Sequence, residues 1–362
     1  MEDVRGVKNT TSESRICKTL PDEDFVSPDK SVLTALNGRR IFVTGGTGFI
    51  GSWVLEYLYR ESRKHGLEVE VQLLSRDPRA FLRANPHLAG WRSLSMVCGD
   101  VRSIAASAVS ADWVLHGATP ASRMLNESNP LEMADIIVGG TRNSLEIARR
   151  CGAKRFLFLS SGLAYGSQPP ELDALVEEQT GRLNSLDPKA AYGNAKHFAE
   201  HLCIQYGISF GFEVSIARLF AFLGPLLPLD AHFAAGNFIR DGLEGRTIRV
   251  EGDGTPLRTY LHAGELARWL WTLFARGRPG QIYNVGSDEI VSIRELAERV
   301  GRLCGVGVEI AGTPAPGRLP PRYVPDVRKA GQELGLRPLW NLEESLCRTL
   351  AWHRGRIEEN PA

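Results

Sequence analysis

The pair Tyr192 and Lys196, in the stretch "AYGNAK", has the residue types and spacing for proton transfer. Spacing of i, i+4 places both side chains on one face of a helix. A phenol with its ordinary pKa of about 10 is a poor base at neutral pH, but a nearby ammonium group favours phenolate and lowers that pKa. Taken alone, Y-x-x-x-K is also typical of a surface helix pair. The stretch "FLFLSSGLAYG" favours the catalytic alternative, because its predicted strand ends at Ser161 and can bring that hydroxyl beside Tyr192.

A partner for this chemistry is indicated by "IFVTGGTGFIGSW", which has four glycines in seven residues between an apolar strand and an amphipathic helix. Gly45, Gly48 and Gly51 have the spacing G-x-x-G-x-x-G. Glycine permits a tight turn and the close approach of an anion, and the N–H groups that begin the helix bind phosphate. An ordinary glycine-rich turn is the alternative, but the strand and helix around this one favour dinucleotide binding. Tyr192 would then remove a proton from a substrate hydroxyl while hydride passes to a nicotinamide.

The choice between NAD and NADP depends on "VQLLSRDP", at the end of the second predicted strand. A carboxylate there binds the ribose hydroxyls of NAD, whereas an arginine pairs with the 2′-phosphate of NADP. Ser75 and Arg76 favour NADP, although Asp77 could still reach the ribose and Arg76 could be a solvated loop charge. Asp100 ends another strand and could accept a hydrogen bond from adenine. The predicted cofactor contacts are Gly45, Thr47, Gly48, Phe49, Ile50, Gly51, Ser75, Arg76, Asp100, Val101, Ala118, Tyr192 and Lys196.

The elements that must position these residues alternate along the chain from Arg40 onward. Apolar runs separated by amphipathic stretches predict an α/β fold, a Rossmann-type doubly wound parallel sheet with a smaller C-terminal α/β substrate-binding domain. We expect a flexible N-terminal tail over residues 1–38 and an NAD(P)-binding domain over 39–220, to which a segment at about 260–285 returns. Residues 221–345 are expected to be mainly the substrate-binding domain, and 346–362 a C-terminal tail.

Composition excludes several classes of function. The 43 basic and 42 acidic residues nearly cancel, which argues against a nucleic-acid or anionic membrane partner. Six scattered cysteines without a C-x-x-C pair are typical of reduced thiols, and the absence of an 18-residue apolar run or signal peptide predicts a cytoplasmic protein. His197 and His201 have the spacing of a metal pair but lack a third ligand, so we predict no metal site. His116 is expected to pack in the core.

The motifs "TGGTGFIG", "GDVR", "DWVLHGA", "LSSGLAYG" and "YGNAK", in this order and spacing, carry a resemblance to a known family. They resemble the extended short-chain dehydrogenase/reductase family, specifically its NAD(P)-dependent sugar-nucleotide epimerases and dehydratases. The resemblance runs from about Arg40 to Pro338. It implies that the family's catalytic triad corresponds to Ser161, Tyr192 and Lys196, and that the protein is a homodimer whose smaller domain grips a nucleoside-diphosphate sugar.

The resemblance also assigns substrate-binding residues in the C-terminal half. Ser161 would contact the substrate oxygen, and Asn237 and Arg258 would hold the diphosphate. Arg322 would be a second diphosphate ligand, with Arg318 as the alternative for that role. Arginine suits phosphate because its planar fork binds in a bidentate way, although a surface or structural role is the alternative for each arginine.

Departures from the family pattern bear on the reaction. Family dehydratases have an Asp-Glu pair directly after the triad Ser or Thr, and decarboxylases keep a Glu there, whereas this sequence has Gly162 and Leu163. Ile137 and Ala221 stand where the family usually has asparagine, which would make the sugar pocket more apolar. We therefore favour a 4-epimerase that acts through a 4-keto intermediate. The alternatives are an NADPH-dependent 4-keto-sugar-nucleotide reductase, which Arg76 favours, a dehydratase whose acid comes from another residue, and a non-enzymatic dinucleotide sensor.

Overall fold

Helices and strands alternate along the computed structural model, which describes residues 20–120, 123–179, 181, 183–231 and 233–359. The strands are β1 (Arg40–Thr44), β2 (Glu70–Ser75), β3 (Leu94–Cys98), β4 (Trp113–His116), β5 (Arg155–Ser161), β6 (Glu213–Leu219), β7 (Phe222–Leu223), β8 (Ile248–Val250), β9 (Leu257–Arg258), β10 (Leu261–His262), β11 (Gln281–Val285), β12 (Val291–Ser292), β13 (Val308–Ile310) and β14 (Arg322–Tyr323). The helices are α1 (Lys30–Leu36), α2 (Phe49–His65), α3 (Pro78–Ala84), α4 (Pro86–Ala89), α5 (Arg123–Ser128), α6 (Pro130–Cys151), α7 (Ala191–Phe210), α8 (Ala234–Leu243), α9 (Ala263–Arg276), α10 (Ile293–Cys304), α11 (Arg328–Leu334) and α12 (Leu342–Glu359).

A parallel sheet with the strand order β11-β6-β5-β4-β1-β2-β3 forms the centre of the molecule. The predicted α/β fold with a doubly wound parallel sheet is confirmed. The chain moves outward from β1 to β3 on one side and then returns to β4 on the other side of β1. In such sheets a ligand binds at the carboxyl ends of the strands where the order reverses, which is between β1 and β4.

Helices cover both faces of the sheet because its strands are apolar on both sides. Along β1, Ile41 and Val43 belong to one core cluster, whereas Phe42 belongs to the other. α2 and α9 pack together on the first face, where the Trp271 indole donates a hydrogen bond to the carbonyl of Val54 (3.0 Å). α6 and α7 pack together on the second face. Each face therefore buries its own apolar core.

The smaller lobe has a separate core between α8, α10, α12 and the β8–β13 pair. Two further short sheets have the strand orders β12-β9-β14 and β10-β7. Between β10 and β12 the chain returns to the main sheet, where α9 packs on its first face and β11 pairs with β6. Of the helices that the structure describes, none combines the length and apolar composition needed to cross a bilayer.

The N-terminal segment differs from the flexible tail that we predicted over residues 1–38. Residues 1–19 lie outside the described part of the chain, but residues 20–38 include α1, which packs against α9. Val32 and Leu36 are buried completely or nearly so, at 0% and 1% exposure. The prediction was wrong for this part because a seven-residue helix is too short to display a sustained apolar period.

The C-terminal tail predicted over residues 346–362 is also wrong for the residues described, since α12 continues to Glu359. Leu342, Leu346 and Leu350 recur every four residues and are each at most 2% exposed. That spacing marks one face of a helix and was the signal available in the sequence. Arg348, on the same helix, donates to Asp24 Oδ1 (2.7 Å) and so connects the two terminal segments.

Candidate active site

The glycine turn lies between the end of β1 and the start of α2, at the carboxyl edge of the sheet. Gly45 has φ of 77°, in the left-handed region that favours glycine, and a Cβ there would overlap the backbone of Gly117. A Cβ on Gly51 would overlap the Gly45 carbonyl oxygen, so this glycine lets α2 pack closely on the turn. Both glycines are therefore explained by close backbone packing within the protein, without reference to a ligand.

Gly48 is different because the protein leaves room beside it. A Cβ at Gly48 would meet the Gly45 carbonyl oxygen at an ordinary contact distance of 3.7 Å, and Gly48 and Thr47 are exposed. Gly48 is the N-cap of α2, and the half-buried Phe49 and Ile50 begin the helix. Backbone N–H groups at such a helix start bind phosphate. The turn therefore fits the pyrophosphate of a dinucleotide.

The end of β2 presents the residues predicted to choose between NAD and NADP. Ser75 is buried and its hydroxyl accepts a hydrogen bond from the Asp77 amide (3.2 Å), whereas Arg76 is exposed. Asp77 caps α3 by accepting from the Ala80 amide at 2.9 Å. The Asp77 carboxylate is occupied in stabilising the start of α3. Arg76 is exposed and has the chemistry to bind a 2′-phosphate.

Asp100 follows β3 and is held by Arg102, whose guanidinium donates to both of its carboxylate oxygens at 3.0 Å. Hydrogen bonding to Arg102 lowers the pKa of Asp100, so the carboxylate is ionised at neutral pH and remains an acceptor. Val101 is buried against Gly140 of α6. Ala118, after β4, donates its amide to Thr44 Oγ1 (3.2 Å) and so adjoins the glycine turn. These predicted cofactor contacts all lie along the carboxyl edge.

His116 ends β4 and is 1% exposed. Its Nδ1 lies 2.7 Å from Thr44 Oγ1, and its Nε2 lies 3.0 Å from Thr141 Oγ1 on α6. Burial, reinforced by the charge of Lys196, lowers the pKa of His116 to about 3. The imidazole is therefore neutral at physiological pH and connects β1, β4 and α6.

Lys196 lies within α7 with 2% of its surface exposed. Its Nζ donates to the carbonyl of Leu159 (2.7 Å) and to Thr119 Oγ1 (2.8 Å), and it lies 6.0 Å from the ring centroid of Tyr192. Burial lowers the pKa of Lys196 to about 7, against the opposing effect of Glu200 one turn further along the helix. The amine is thus poised to gain or lose a proton near neutral pH.

Tyr192 lies in the first turn of α7 and is half-buried. Loss of hydration raises the pKa of its phenol to about 12, and interaction with the Ser161 hydroxyl lowers it. The protein's own groups therefore leave this phenol protonated at neutral pH. The Lys196 amine does not offset the effect of burial, because it donates to Leu159 and Thr119 and is itself partly deprotonated at neutral pH. The structure places Ser161 and Lys196 close to Tyr192.

Position 162, where the resemblance led us to look for an acid, has no room for a side chain. A Cβ on Gly162 would lie 2.7 Å from the Tyr323 hydroxyl oxygen and 2.8 Å from the ring of Phe220. Ser161, directly before it, is 8% exposed and accepts from the Leu163 amide (3.1 Å), whereas the Leu163 side chain is 48% exposed. A side chain at this position would therefore have to displace Tyr323 or Phe220, which fill the adjoining space.

Tyr323 and Phe220 are residues of this site that the sequence analysis missed. Their rings lie 4.7 Å apart, and Tyr323 directly follows Arg322 in β14. Successive residues of a strand point to opposite sides. Tyr323 faces Ser161, whereas Arg322 Nη1 donates to the exposed Asp173 Oδ1 (2.9 Å). Recognition of β14 as a strand would have raised the question of which of the two residues faces the site.

The other predicted substrate residues lie on three different elements. The Arg258 guanidinium, on β9, is 5.8 Å from the Tyr323 ring centroid and donates to the carbonyl of Leu257 (2.8 Å). In the orientation that satisfies its amide, Asn237 of α8 donates to the carbonyls of Leu229 (3.2 Å) and Ala231 (2.9 Å). Arg318 is exposed on the loop before β14. Arg258 is thus brought next to Tyr323, and Asn237 contacts the loop before its own helix.

Ile137 and Ala221 differ in what they can contribute to a sugar pocket. Ala221 is half-buried beside Phe220, but Ile137 is 0% exposed in the core cluster under α6. The expectation that Ile137 makes a sugar pocket more apolar is therefore wrong, because its side chain is completely buried in the hydrophobic core. Within the described residues, no group of three or more His, Cys, Asp or Glu side chains is placed to hold a metal ion.

A family model places this site among known proteins. The model described as the NAD dependent epimerase/dehydratase family matches residues 41–286, more than half of the 362-residue chain. The chain belongs to this family. The resemblance stated from the motifs is confirmed, and so is the expectation of an enzyme class that depends on a nicotinamide dinucleotide.

Members of the epimerase/dehydratase family that are similar to this chain catalyse different reactions. UDP-glucuronic acid decarboxylase 1 of Xenopus tropicalis is 30% identical over 331 residues, which cover 91% of this chain and 76% of that protein. The dTDP-glucose 4,6-dehydratase DesIV of Streptomyces venezuelae, solved with NAD bound, is 26% identical with a TM-score of 0.75 and covers 88% of this chain and 99% of its own. UDP-glucose 4-epimerase of Thermotoga maritima shares the fold, with a TM-score of 0.75, 23% identity and coverage of 88% and 99%. The family thus processes sugar nucleotides, and the fold alone does not select the reaction.

Proposed function

We propose that the protein is an NAD(P)-dependent 4-epimerase of a nucleoside-diphosphate sugar that acts through a 4-keto intermediate. The observation that carries the proposal is the grouping of Ser161, Tyr192 and Lys196 beside the glycine turn, together with a Gly162 position that cannot hold an acid. Epimerisation at one carbon requires the removal and return of a proton and a hydride. It requires no further acid for a leaving group, in contrast to elimination of water.

The chain's own residues supply the proton chemistry. Tyr192 takes the proton of the C4 hydroxyl, and the Ser161 hydroxyl holds the same oxygen. The dinucleotide, when bound, supplies the hydride acceptor and, in its oxidised form, a positive charge that favours phenolate. Because the pKa of Lys196 is about 7, this residue can hold or release a proton within the same buried site.

The glycine turn and the loops at the carboxyl edge support the proposed cofactor site. NADP is the proposed preference, because Arg76 is exposed after β2 while Asp77 caps α3. Asn237, Arg258 and Arg322 are proposed to hold the diphosphate, and the position of Arg258 beside Tyr323 supports its part in this set. A homodimer is proposed through α6 and α7, where Leu131 and Phe198 are exposed by 83% and 50%.

The direct test is incubation with UDP-glucose, with and without NADPH, followed by product analysis and absorbance at 340 nm. We expect the C4 epimer to form without net change at 340 nm, because the hydride returns to the carbon it left. A 4-keto-sugar nucleotide should be supplied in parallel. Stoichiometric NADPH oxidation with that substrate, and no epimer from UDP-glucose, would identify the reductase instead.

Decarboxylation is the second candidate, because a decarboxylase is 30% identical across 91% of the chain. The crowding at Gly162 argues against the acid that family decarboxylases keep there. If the protein releases carbon dioxide from UDP-glucuronic acid, it is a decarboxylase and the proposed epimerase assignment is wrong. A product lighter than UDP-glucose by one water would instead identify a dehydratase.

A further inference from the structure

Three hydroxyl groups meet at the carboxyl end of β5, although the triad accounts for two of them. The Ser161 hydroxyl interacts with both Tyr192 and Tyr323 and lowers the pKa of each phenol. Tyr323 Oη also lies 2.7 Å from the position that a Cβ on Gly162 would take. The third hydroxyl therefore stands directly beside the reacting groups.

The backbone around Tyr323 is held firmly, so the position of its ring is well defined. The amide of Val324 donates to Gln168 Oε1 (2.9 Å), and the Val324 carbonyl accepts from the Leu175 amide (2.9 Å). Phe220 supports the ring from one side, and Arg258 pairs with Tyr323 in the β9–β14 register. A group that is fixed in this way can position a ligand without a large loss of its own conformational entropy.

The Tyr323 hydroxyl makes a weak hydrogen bond to the protein. Its distance to the carbonyl of Leu219 is 3.4 Å, whereas hydroxyl hydrogen bonds are usually about 2.7–2.8 Å. Burial raises the pKa of Tyr323, so its phenol stays protonated and can donate at physiological pH. Tyr323 as a whole is half-buried, so part of the residue is accessible to solvent.

We propose that the Tyr323 hydroxyl hydrogen-bonds the sugar of the substrate, in the place that a side chain at residue 162 would otherwise fill. The inference rests on the proposed function and names a substrate-contacting residue for it. An uncharged donor replaces an acid at this position. Tyr323 therefore orients the sugar for oxidation at one carbon, from beside the reacting hydroxyls.

The experiment compares Tyr323→Phe with Tyr165→Phe, which removes a hydroxyl from the same aromatic cluster. Phe keeps the ring of Tyr323 that fills the space near Gly162. Tyr165 is buried and donates to Asn284 Oδ1 (2.9 Å), so it serves as a structural control. Affinities for UDP-glucose and for UDP alone are measured by titration calorimetry, together with kcat/KM for UDP-glucose.

We expect Tyr323→Phe to weaken UDP-glucose binding about 10-fold and to leave UDP binding unchanged, since the lost hydrogen bond involves the sugar. Its kcat/KM should fall by at least the same factor. Tyr165→Phe should lower the unfolding midpoint and leave the ratio of the two affinities unchanged. An unchanged ratio in Tyr323→Phe would overturn the inference.

A second variant tests the contact with residue 162. Gly162→Ala should displace the Tyr323 hydroxyl and reduce the same affinity ratio, and the double variant should lose less than the product of the two single losses. Independent, fully multiplicative losses would contradict a shared contact.

The two proposals fail in different ways. A wild-type protein that binds UDP-glucose without epimerising it would refute the epimerase and leave Tyr323 to be decided by the affinity ratio. Epimerisation with an unchanged ratio in Tyr323→Phe would refute the role of Tyr323 alone. A wild-type protein that binds UDP but does not bind UDP-glucose would refute both.

Discussion

The proposed cofactor side and the proposed sugar side of the site are built in different ways. The turn from Gly45 to Gly51 presents backbone N–H groups from one short stretch of sequence. The sugar side instead combines side chains of Ser161, Phe220, Arg258 and Tyr323, which come from four separate segments of the chain. Backbone recognition of a phosphate can therefore be encoded locally, whereas recognition of a sugar requires the tertiary structure.

The two sides also differ in the charge of their side chains. The adenosine end carries ionised groups, with Asp100 held by Arg102 and with Arg76 exposed nearby. The reacting end contains neutral hydroxyls, because burial raises the pKa of both Tyr192 and Tyr323. The proposed reaction would therefore begin with the deprotonation of one of these hydroxyls, and Tyr192 is proposed for this step because Lys196 Nζ lies 6.0 Å from its ring centroid.

The largest effect should come from Tyr192→Phe, where the two sides meet. We expect kcat for UDP-glucose to fall about 10²- to 10⁴-fold, since proton transfer by a positioned group contributes that much. Dinucleotide affinity should be unchanged, because the glycine turn is intact. Stopped-assay turnover and fluorescence titration with NAD and NADP measure the two quantities, and full retention of turnover would show that Tyr192 is not the base.

Arg258→Ala should have the next largest effect and test the sugar side alone. If Arg258 binds the diphosphate, UDP affinity should fall about 10- to 100-fold, as for loss of a hydrogen bond to a charged group. Arg322→Ala should cost less, because that guanidinium is shared with the exposed Asp173. Arg318→Ala tests the alternative assignment, and a larger loss there than in Arg322→Ala would reverse the choice between them.

Gly51→Ala and Gly48→Ala form a matched pair for the cofactor side. Gly51→Ala should reduce the free energy of unfolding by about 1–3 kcal/mol, since its Cβ would overlap the Gly45 carbonyl. Gly48→Ala should leave stability nearly unchanged but weaken dinucleotide binding, because its Cβ would enter the space that faces the helix start. Urea denaturation and cofactor titration separate the two outcomes. Equal destabilisation in both variants would contradict the different roles assigned to the two glycines.

The smallest effect concerns the pH dependence of stability. The pKa of Lys196 is about 7 in the folded protein and lies near 10.5 in the unfolded chain, so above pH 7 the unfolded state binds the extra proton. The free energy of unfolding should therefore rise between pH 7 and 8.5, by at most about 1.4 kcal/mol per pH unit from this residue. Lys196→Met should lack that rise. The pH window avoids Glu265, whose pKa is raised by burial to about 7 and whose effect on stability falls mainly below pH 7.

The sequence was sufficient for the parts of the site that depend on local pattern. The glycine turn, the Tyr192–Lys196 pair and the strand ending at Ser161 each follow from residues close together in the chain. The contact of Tyr323 with position 162 could not be predicted, because it depends on how β14 pairs with β9. The partners of the Lys196 amine could not be predicted for a related reason, since spacing along a helix does not show where that amine points.

The packing of the first described residues has a practical consequence for recombinant work. A chain shortened to begin at Arg40, just ahead of the first recognisable motif, would strip α1 from α9 and expose apolar surface that Val32 and Leu36 now cover. The same cut would remove Asp24 and leave Arg348 of α12 without that carboxylate. We therefore expect a protein that begins at Arg40 to be less stable and more prone to aggregation. Recombinant protein should include residues 20–39.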